Sequence, residues 1–162
     1  MLYASHYDSP IGRILLTGSE TALTCVCFQD HRIIPDSCEI RDDLQLFHIV
    51  RDWLSRYFRG ENPDPKQLPA RISGTAFQQE VWKIISQIPY GETVTYGQIA
   101  TLLAEQGSGH MSAQAVGGAV GRNPMHVVIP CHRVISAGGS LTGYAGGLWR
   151  KEYLLKLEQG VK

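Results

Sequence analysis

Between Gly60 and Gly74 the chain carries Pro63, Pro65 and Pro69 and few apolar residues. Proline has no amide hydrogen to give a helix or a central strand, so this stretch reads as an extended connector. It divides the chain into an N-terminal α/β lobe with its linker, residues 1–72, and a C-terminal lobe, residues 73–162. At 162 residues in all, the chain has room for one compact domain or two small ones.

Before the connector, turn residues at Asp8-Ser9-Pro10 and Gly18-Ser19-Glu20 separate three short, partly alternating stretches, 2–7, 11–17 and 22–28. They predict a small antiparallel meander. Over 42–58 the residues Leu46, Val50, Trp53, Leu54 and Tyr57 recur at helical spacing, and Gly60 closes the pattern. After the connector, a helix is expected over 75–87, with Thr75 as N-cap and Phe77, Val81, Ile84 and Ile85 inward. Pro89-Tyr90-Gly91 then turns the chain, and Thr95 caps a helix over 96–104. A glycine-rich turn, 107–109, leads to Ser112 and a helix from 113 to about 121, which makes a helix-turn-helix pattern. Inside its second helix stand Gly117 and Gly118, each costing roughly 1 kcal/mol relative to alanine. Tight helix packing is one reason for a bare backbone there, and close approach of a second polymer is the other. A strand over 126–129, a glycine-rich loop over 138–147 and a helix over 148–158 complete the expected elements.

A composition of 43% hydrophobic and 19% charged residues excludes the disordered and collagenous classes. No apolar run approaches the roughly 20 residues of a membrane span, and the first eight residues do not read as a secretory signal, so a cytoplasmic location is expected. Cys25, Cys27, Cys38 and Cys131 are irregularly spaced, which favours free thiols over a disulfide framework. Net charge is zero, with 8 basic and 10 acidic residues up to Gly74 and 7 basic and 5 acidic after it. Such a balance permits nucleic-acid binding without arguing for it.

The strongest chemical signal is Pro130-Cys131-His132-Arg133-Val134, where an apolar run meets a turn. A cysteine becomes nucleophilic when its thiolate is stabilised, and a nearby imidazole can take the proton, directly or through water. That imidazole needs an acceptor on its other nitrogen, usually a carboxylate, which spacing alone does not identify. A small buried core cysteine remains the plain alternative.

These residues sit among others that together resemble the O6-alkylguanine-DNA alkyltransferase family. The resemblance is carried by 77–82 (Phe-Gln-Gln-Glu-Val-Trp), 88–100 (Ile-Pro-Tyr-Gly-Glu-Thr-Val-Thr-Tyr-Gly-Gln-Ile-Ala), Ala115-Val116-Gly117-Gly118-Ala119, Asn123-Pro124, Ile129 to Val134, and Gly143-Tyr144-Ala145-Gly146-Gly147-Leu148. It covers about residues 73 to 159, whereas 1–72 match only in general layout.

The resemblance implies a mixed α/β (α+β) fold: a ribonuclease-H-like N-terminal lobe with a small antiparallel sheet, and a winged-helix-like helix-turn-helix C-terminal lobe. It implies direct repair, in which Cys131 irreversibly accepts the alkyl group of O6-alkylguanine, with O4-alkylthymine as a second candidate substrate and no cofactor. By the same resemblance His132 is the base through a water, Glu158 orients it, and Asn123 holds the turn around the cysteine. The partner is double-stranded DNA containing the lesion, bound by a monomer in the minor groove with the target nucleotide flipped out. Tyr96 would rotate the target phosphate; Gln114, Ala115, Gly117 and Gly118 would lie against DNA; Val134, Tyr144 and Ala145 would line the base pocket.

Two positions depart from the family pattern. Gln114 stands where an arginine usually enters the base stack, and Ala145 where some relatives carry serine. Glutamine lacks the guanidinium plane and charge, which implies weaker duplex binding with a shallower salt dependence. Cys25 and Cys27, with His6 and His31 as neighbours, form no recognised zinc pattern and read as structural thiols, so no metal is expected. Rival functions are a lesion-recognition protein without transfer, against which the retained Cys131 speaks, a helix-turn-helix regulator, and a cysteine hydrolase.

Overall fold

The turn at Ser9-Pro10 closes through one hydroxyl: Ser9 Oγ accepts from the Ile11 amide at 3.1 Å and donates to the Gly12 carbonyl at 2.6 Å. It joins β1 (Tyr3–Ser9) to β2 (Gly12–Gly18), and β3 (Leu23–Phe28) follows, so the expected antiparallel meander forms. The computed structural model describes residues 1–29, 34–107, 109, 112–139, 144 and 147–160. Ala145, the motif residues Gly143 and Gly146, His31 and Ser108 of the 107–109 turn lie outside the described residues.

The chain divides into two units, Met1–Ser73 with Pro124–His126, and Gly74–Asn123 with Val127–Lys162. In the first, the sheet runs β3-β2-β1-β4, where the short β4 (Glu39–Ile40) pairs parallel to β1. Ile14, Leu15 and Leu16 are all buried, as expected of a strand covered on both faces. One face meets α1 (Gln45–Phe58), where Tyr7 stacks on Phe58 and its hydroxyl lies 3.2 Å from Ser55 Oγ. The other face buries Ala4, Leu15, Cys25 and Cys27 beneath Ile34 and Cys38. Helix α1 starts at Gln45, three residues later than the pattern suggested, because Leu44 offers no side-chain cap and the apolar stripe begins only at Leu46.

The proline-rich segment, expected to be extended, is interrupted by a 3₁₀ turn over Pro65–Gln67, where Asp64 accepts from the Lys66 amide at 2.9 Å, and it is tied down. Leu23 donates to the Pro69 carbonyl at 2.7 Å and accepts from the Arg71 amide at 2.8 Å, so the segment borders β3. Residues 124–126 reach Val26 in the same manner, through its amide to the Pro124 carbonyl at 2.9 Å and the His126 amide to its carbonyl at 2.7 Å.

The strand expected over 126–129 does not form. Pairing is confined to a single bridge at Met125, and Val127 then turns the chain at φ 71°, a left-handed value that ends any strand and is strained for a β-branched residue. The misreading has a simple source, since a short buried apolar run looks the same whether or not it is in a ladder.

In the second unit, Thr75 and Gln78 form a capping box at α2 (Ala76–Ile85), and Thr95 and Gln98 form another at α3 (Tyr96–Glu105). Ser112 caps α4 (Ala113–Gly121) by accepting from the Ala115 amide at 3.0 Å. Val81, Ile85, Ile99, Leu103, Val116 and Val120 supply the core between these helices, and Trp82 donates its indole N–H to the Ala119 carbonyl at 2.9 Å. Two short parallel strands, β5 (Val94–Thr95) and β6 (Val134–Ile135), link the start of α3 to the segment after Cys131, and α5 (Leu148–Glu158) ends the fold.

Packing among the described residues does not explain the paired glycines of α4. A methyl group at Gly117 would meet the Tyr96 ring at an ordinary 3.9 Å, and one at Gly118 would meet nothing within 4 Å among the described residues. At Gly18, by contrast, it would lie 2.6 Å from the Ala22 carbonyl oxygen and 2.8 Å from the Leu46 side chain. Urea unfolding should therefore show Gly118→Ala to be neutral or stabilising by up to about 1 kcal/mol, and Gly18→Ala to be destabilising by about 1–3 kcal/mol. A destabilised Gly118→Ala protein would restore the packing explanation.

Candidate active site

Pro130 (φ −81°, ψ 64°) makes a tight three-residue turn in which the Cys131 amide donates to the Ile129 carbonyl at 2.8 Å. The chain then runs one turn of 3₁₀ helix over Cys131–Arg133, all three residues buried, and enters β6. This geometry presents Cys131 Sγ to Asn123, which follows α4. The Asn123 amide nitrogen donates to Sγ at 3.0 Å and to the Ile129 carbonyl at 2.9 Å, so one NH2 group both braces the turn and faces the sulfur.

His132 points its Nε2 at Glu158 Oε2, 2.5 Å away on the last turn of α5. Arg133 grips the same carboxylate with two nitrogens, Nε to Oε1 at 2.7 Å and Nη2 to Oε2 at 3.0 Å, while its Nη1 donates to the Ile88 carbonyl at 2.7 Å. The Gly91 amide adds a further donor to Oε1 at 3.1 Å. Arg133 also lies 5.6 Å from the centre of the Tyr90 ring.

Burial by itself would raise the Glu158 carboxyl, but the His132 hydrogen bond and charge, with those of Arg133, outweigh it and hold the group well below its ordinary value. Burial also lowers His132, against the pull of Glu158, so the ring is neutral at neutral pH. An ionised Glu158 then takes the Nε2–H, which leaves Nδ1 as the basic nitrogen. The Cys131 thiol is pushed up to about 11 by burial, opposed first by the Asn123 bond and then by the charge of Lys151. Tyr144, edge-on to His132 with ring centres 6.5 Å apart, is raised well above its usual value by burial and next by Cys131. The arrangement holds a buried thiol, a neutral imidazole whose Nδ1 is its basic nitrogen, and a carboxylate ionised at neutral pH behind it, which are the parts needed for proton removal from a nucleophilic thiol.

Of the site residues read from the sequence, Cys131, Asn123, His132 and Glu158 come together in this hydrogen-bonded cluster, with Val134 and Tyr144 buried beside it. Tyr96 is the first residue of α3 and is held near β6 by the β5–β6 pairing. Gln114, Ala115 and Gly118 are exposed on α4, and Gly117 lies against the Tyr96 ring. Arg133, Lys151 and Gly91 were missed. For Lys151 a signal existed: with Leu154, Leu155 and Glu158 it occupies the apolar face of α5, an unusual place for a lysine. Cys25 and Cys27 have sulfurs 3.2 Å apart in the first unit's core, and among the described residues no group of three or more His, Cys, Asp or Glu side chains gathers as a metal site.

Comparison with known proteins places both units. Residues 2–72 match the family model described as the ribonuclease-like domain of 6-O-methylguanine DNA methyltransferase, and 76–160 match the model of its DNA-binding domain. The chain is 44% identical to a methylated-DNA–protein-cysteine methyltransferase of Methanosarcina acetivorans, over 97% of this chain and 98% of that protein. It is 39% identical to one of Haemophilus influenzae, over 98% and 87%. A crystal structure of Mycobacterium tuberculosis OGT in complex with DNA superposes with a TM-score of 0.86 at 40% identity, covering 98% of this chain and 93% of that one.

The Glu158 network has a pH signature. A carboxyl held below its unfolded value of 4.5 contributes stability that is fully present above that value and is lost as pH falls toward the folded one. Urea midpoints should therefore drop steeply below pH 4.5. Glu158→Gln leaves the Arg133 charge buried without its partner and should cost about 3–5 kcal/mol at pH 7, with a flatter acid limb. An acid limb identical in the variant would show that Glu158 does not carry it.

Proposed function

The chain belongs to the 6-O-methylguanine DNA methyltransferase family, and from that footing we propose which of its residues perform the reaction. The protein is a DNA-binding repair enzyme that moves an alkyl group from DNA to one of its own cysteines. In the proposed reading Cys131 is the acceptor, and the observation that carries it is the single cluster in which the Asn123 amide meets its sulfur at 3.0 Å while the next residue, His132, is backed by Glu158 at 2.5 Å. A water passes the thiol proton to His132 Nδ1, and Glu158 stabilises the imidazolium that results. The thiolate attacks the alkyl carbon of O6-alkylguanine, the carbon–oxygen bond breaks, and its electron pair returns to the base, which regains a proton. The thioether that forms offers no acyl carbon for water to attack, so each chain repairs one lesion. O4-alkylthymine presents the same alkyl–oxygen bond and would react in the same way.

Lesion entry requires the nucleotide to leave the duplex. Tyr96, at the N-terminus of α3, turns the target phosphate; Val134 and Tyr144 wall the base. Gln114 and Ala115 reach toward the duplex, and the bare Gly117-Gly118 face lets the phosphate backbone approach α4. Residues 1–72 act as a supporting lobe and 73–162 carry DNA binding and chemistry. Cysteines outside any disulfide suit a reducing cytoplasm, and a reaction using one thiol per lesion needs only a monomer.

Intact-protein mass spectrometry after mixing with a duplex containing one O6-methylguanine tests the assignment. A gain of one methyl group by the unaltered protein, and none by Cys131→Ala, is expected; lesion DNA bound without any gain would replace transfer by recognition alone. Gly118→Ala, though folded, should bind the lesion duplex more weakly. Gln114→Arg should bind more tightly, with a log–log salt slope steeper by about 1, and unchanged affinity would remove Gln114 as the weak contact.

A further inference from the structure

Lys151 is fully buried on α5, and no step above uses it. A lysine side chain is almost never taken wholly out of water without a compensating role, because burying its charge is costly. Its ammonium donates to the Val134 carbonyl at 2.5 Å, on the strand that follows Cys131, and lies 5.9 Å from the centre of the Tyr96 ring. One cation thus contacts a wall of the proposed base pocket and the tyrosine proposed to turn the nucleotide.

We propose that Lys151 is a positioning residue for the transfer reaction, its buried ammonium fixing the Val134 carbonyl and the Tyr96 ring while supplying the positive potential in which the Cys131 thiolate forms. The inference rests on Cys131 being the acceptor. The groups facing Lys151 are Cys131 and His132 on the 3₁₀ turn and Tyr96 on α3, whereas Glu158, seven residues on along its own helix, is held by Arg133. The interaction with Cys131 is mutual. Lys151 lowers the thiol, and a Cys131 thiolate raises the lysine, partly opposing the burial that leaves it lowered to about 8. At neutral pH the ammonium is therefore still protonated and offsets part of the cost of a buried sulfur anion. Asn123 gives the sulfur a dipole; Lys151 gives it a full charge.

Lys151→Gln keeps a donor for the Val134 carbonyl and removes the charge, and Lys151→Arg keeps the charge. Each is compared with the unaltered protein by the pH dependence of Cys131 alkylation, using iodoacetamide without DNA and peptide-level mass spectrometry to separate Cys131 from the other thiols. Circular dichroism checks the fold. In Lys151→Gln the rate should fall about tenfold near neutral pH as the profile moves about one unit alkaline, and methyl transfer from the O6-methylguanine duplex should slow in parallel. Lys151→Arg should retain the position of the profile. A glutamine variant with the original profile overturns the proposal. Should the glutamine variant fail to fold, a folded arginine variant with a profile shifted alkaline overturns it equally. Because iodoacetamide reads the thiolate without DNA, these outcomes are distinct from failure of the unaltered protein to accept a methyl group, which would strike the assignment of Cys131 itself.

Discussion

Glu158 lies on the last turn of α5 with its side chain wholly buried, and a carboxylate survives in such a place only when its charge is matched and its lone pairs are filled. Four donors converge on it: His132 Nε2, two nitrogens of Arg133 and the amide of Gly91. They come from two segments far from α5 in sequence, the 3₁₀ turn that holds Cys131 and the turn after α2. Removing the carboxylate would leave a buried guanidinium, a histidine with no fixed tautomer and a turn with no anchor. The ion pair does not need to add net stability to matter, since it specifies a single arrangement of three chain segments.

That arrangement sets the chemistry proposed for the site. Burial favours the protonated Cys131 thiol and the neutral imidazole. The Asn123 amide, the Lys151 charge and the basic side of His132 all favour the thiolate, yet against a large desolvation cost.

Local patterns were legible where the physics is local. Thr75 and Thr95 were read as caps and form complete capping boxes with Gln78 and Gln98, because such a box needs only side chains three residues apart. The stripe of α1 from Leu46 to Tyr57 was equally plain. The run 126–129 misled because burial without periodicity does not distinguish a strand from a turn, and Val127 has a backbone conformation that its side chain disfavours. The β5–β6 pair escaped notice because two-residue strands carry no alternation, and their partners are 40 residues apart.

Sequence alone determined that Cys131 lies at a turn with a histidine next to it, that helices precede and follow it along the chain, and, through the resemblance of its motifs, that a DNA alkyltransferase is encoded. The Cys-His adjacency did not reveal which carboxylate stands behind His132; Glu158 came from the resemblance, not from spacing. Only the tertiary structure decided that Arg133 shares that carboxylate, that Lys151 turns inward toward Val134 and Tyr96, and that among the described residues Gly118 has no neighbour to demand a glycine. The reason is one of range. Capping, turn chemistry and helical periodicity act over three to seven residues, whereas buried charges are paired across folded distance by whichever segments the hydrophobic core has already brought together.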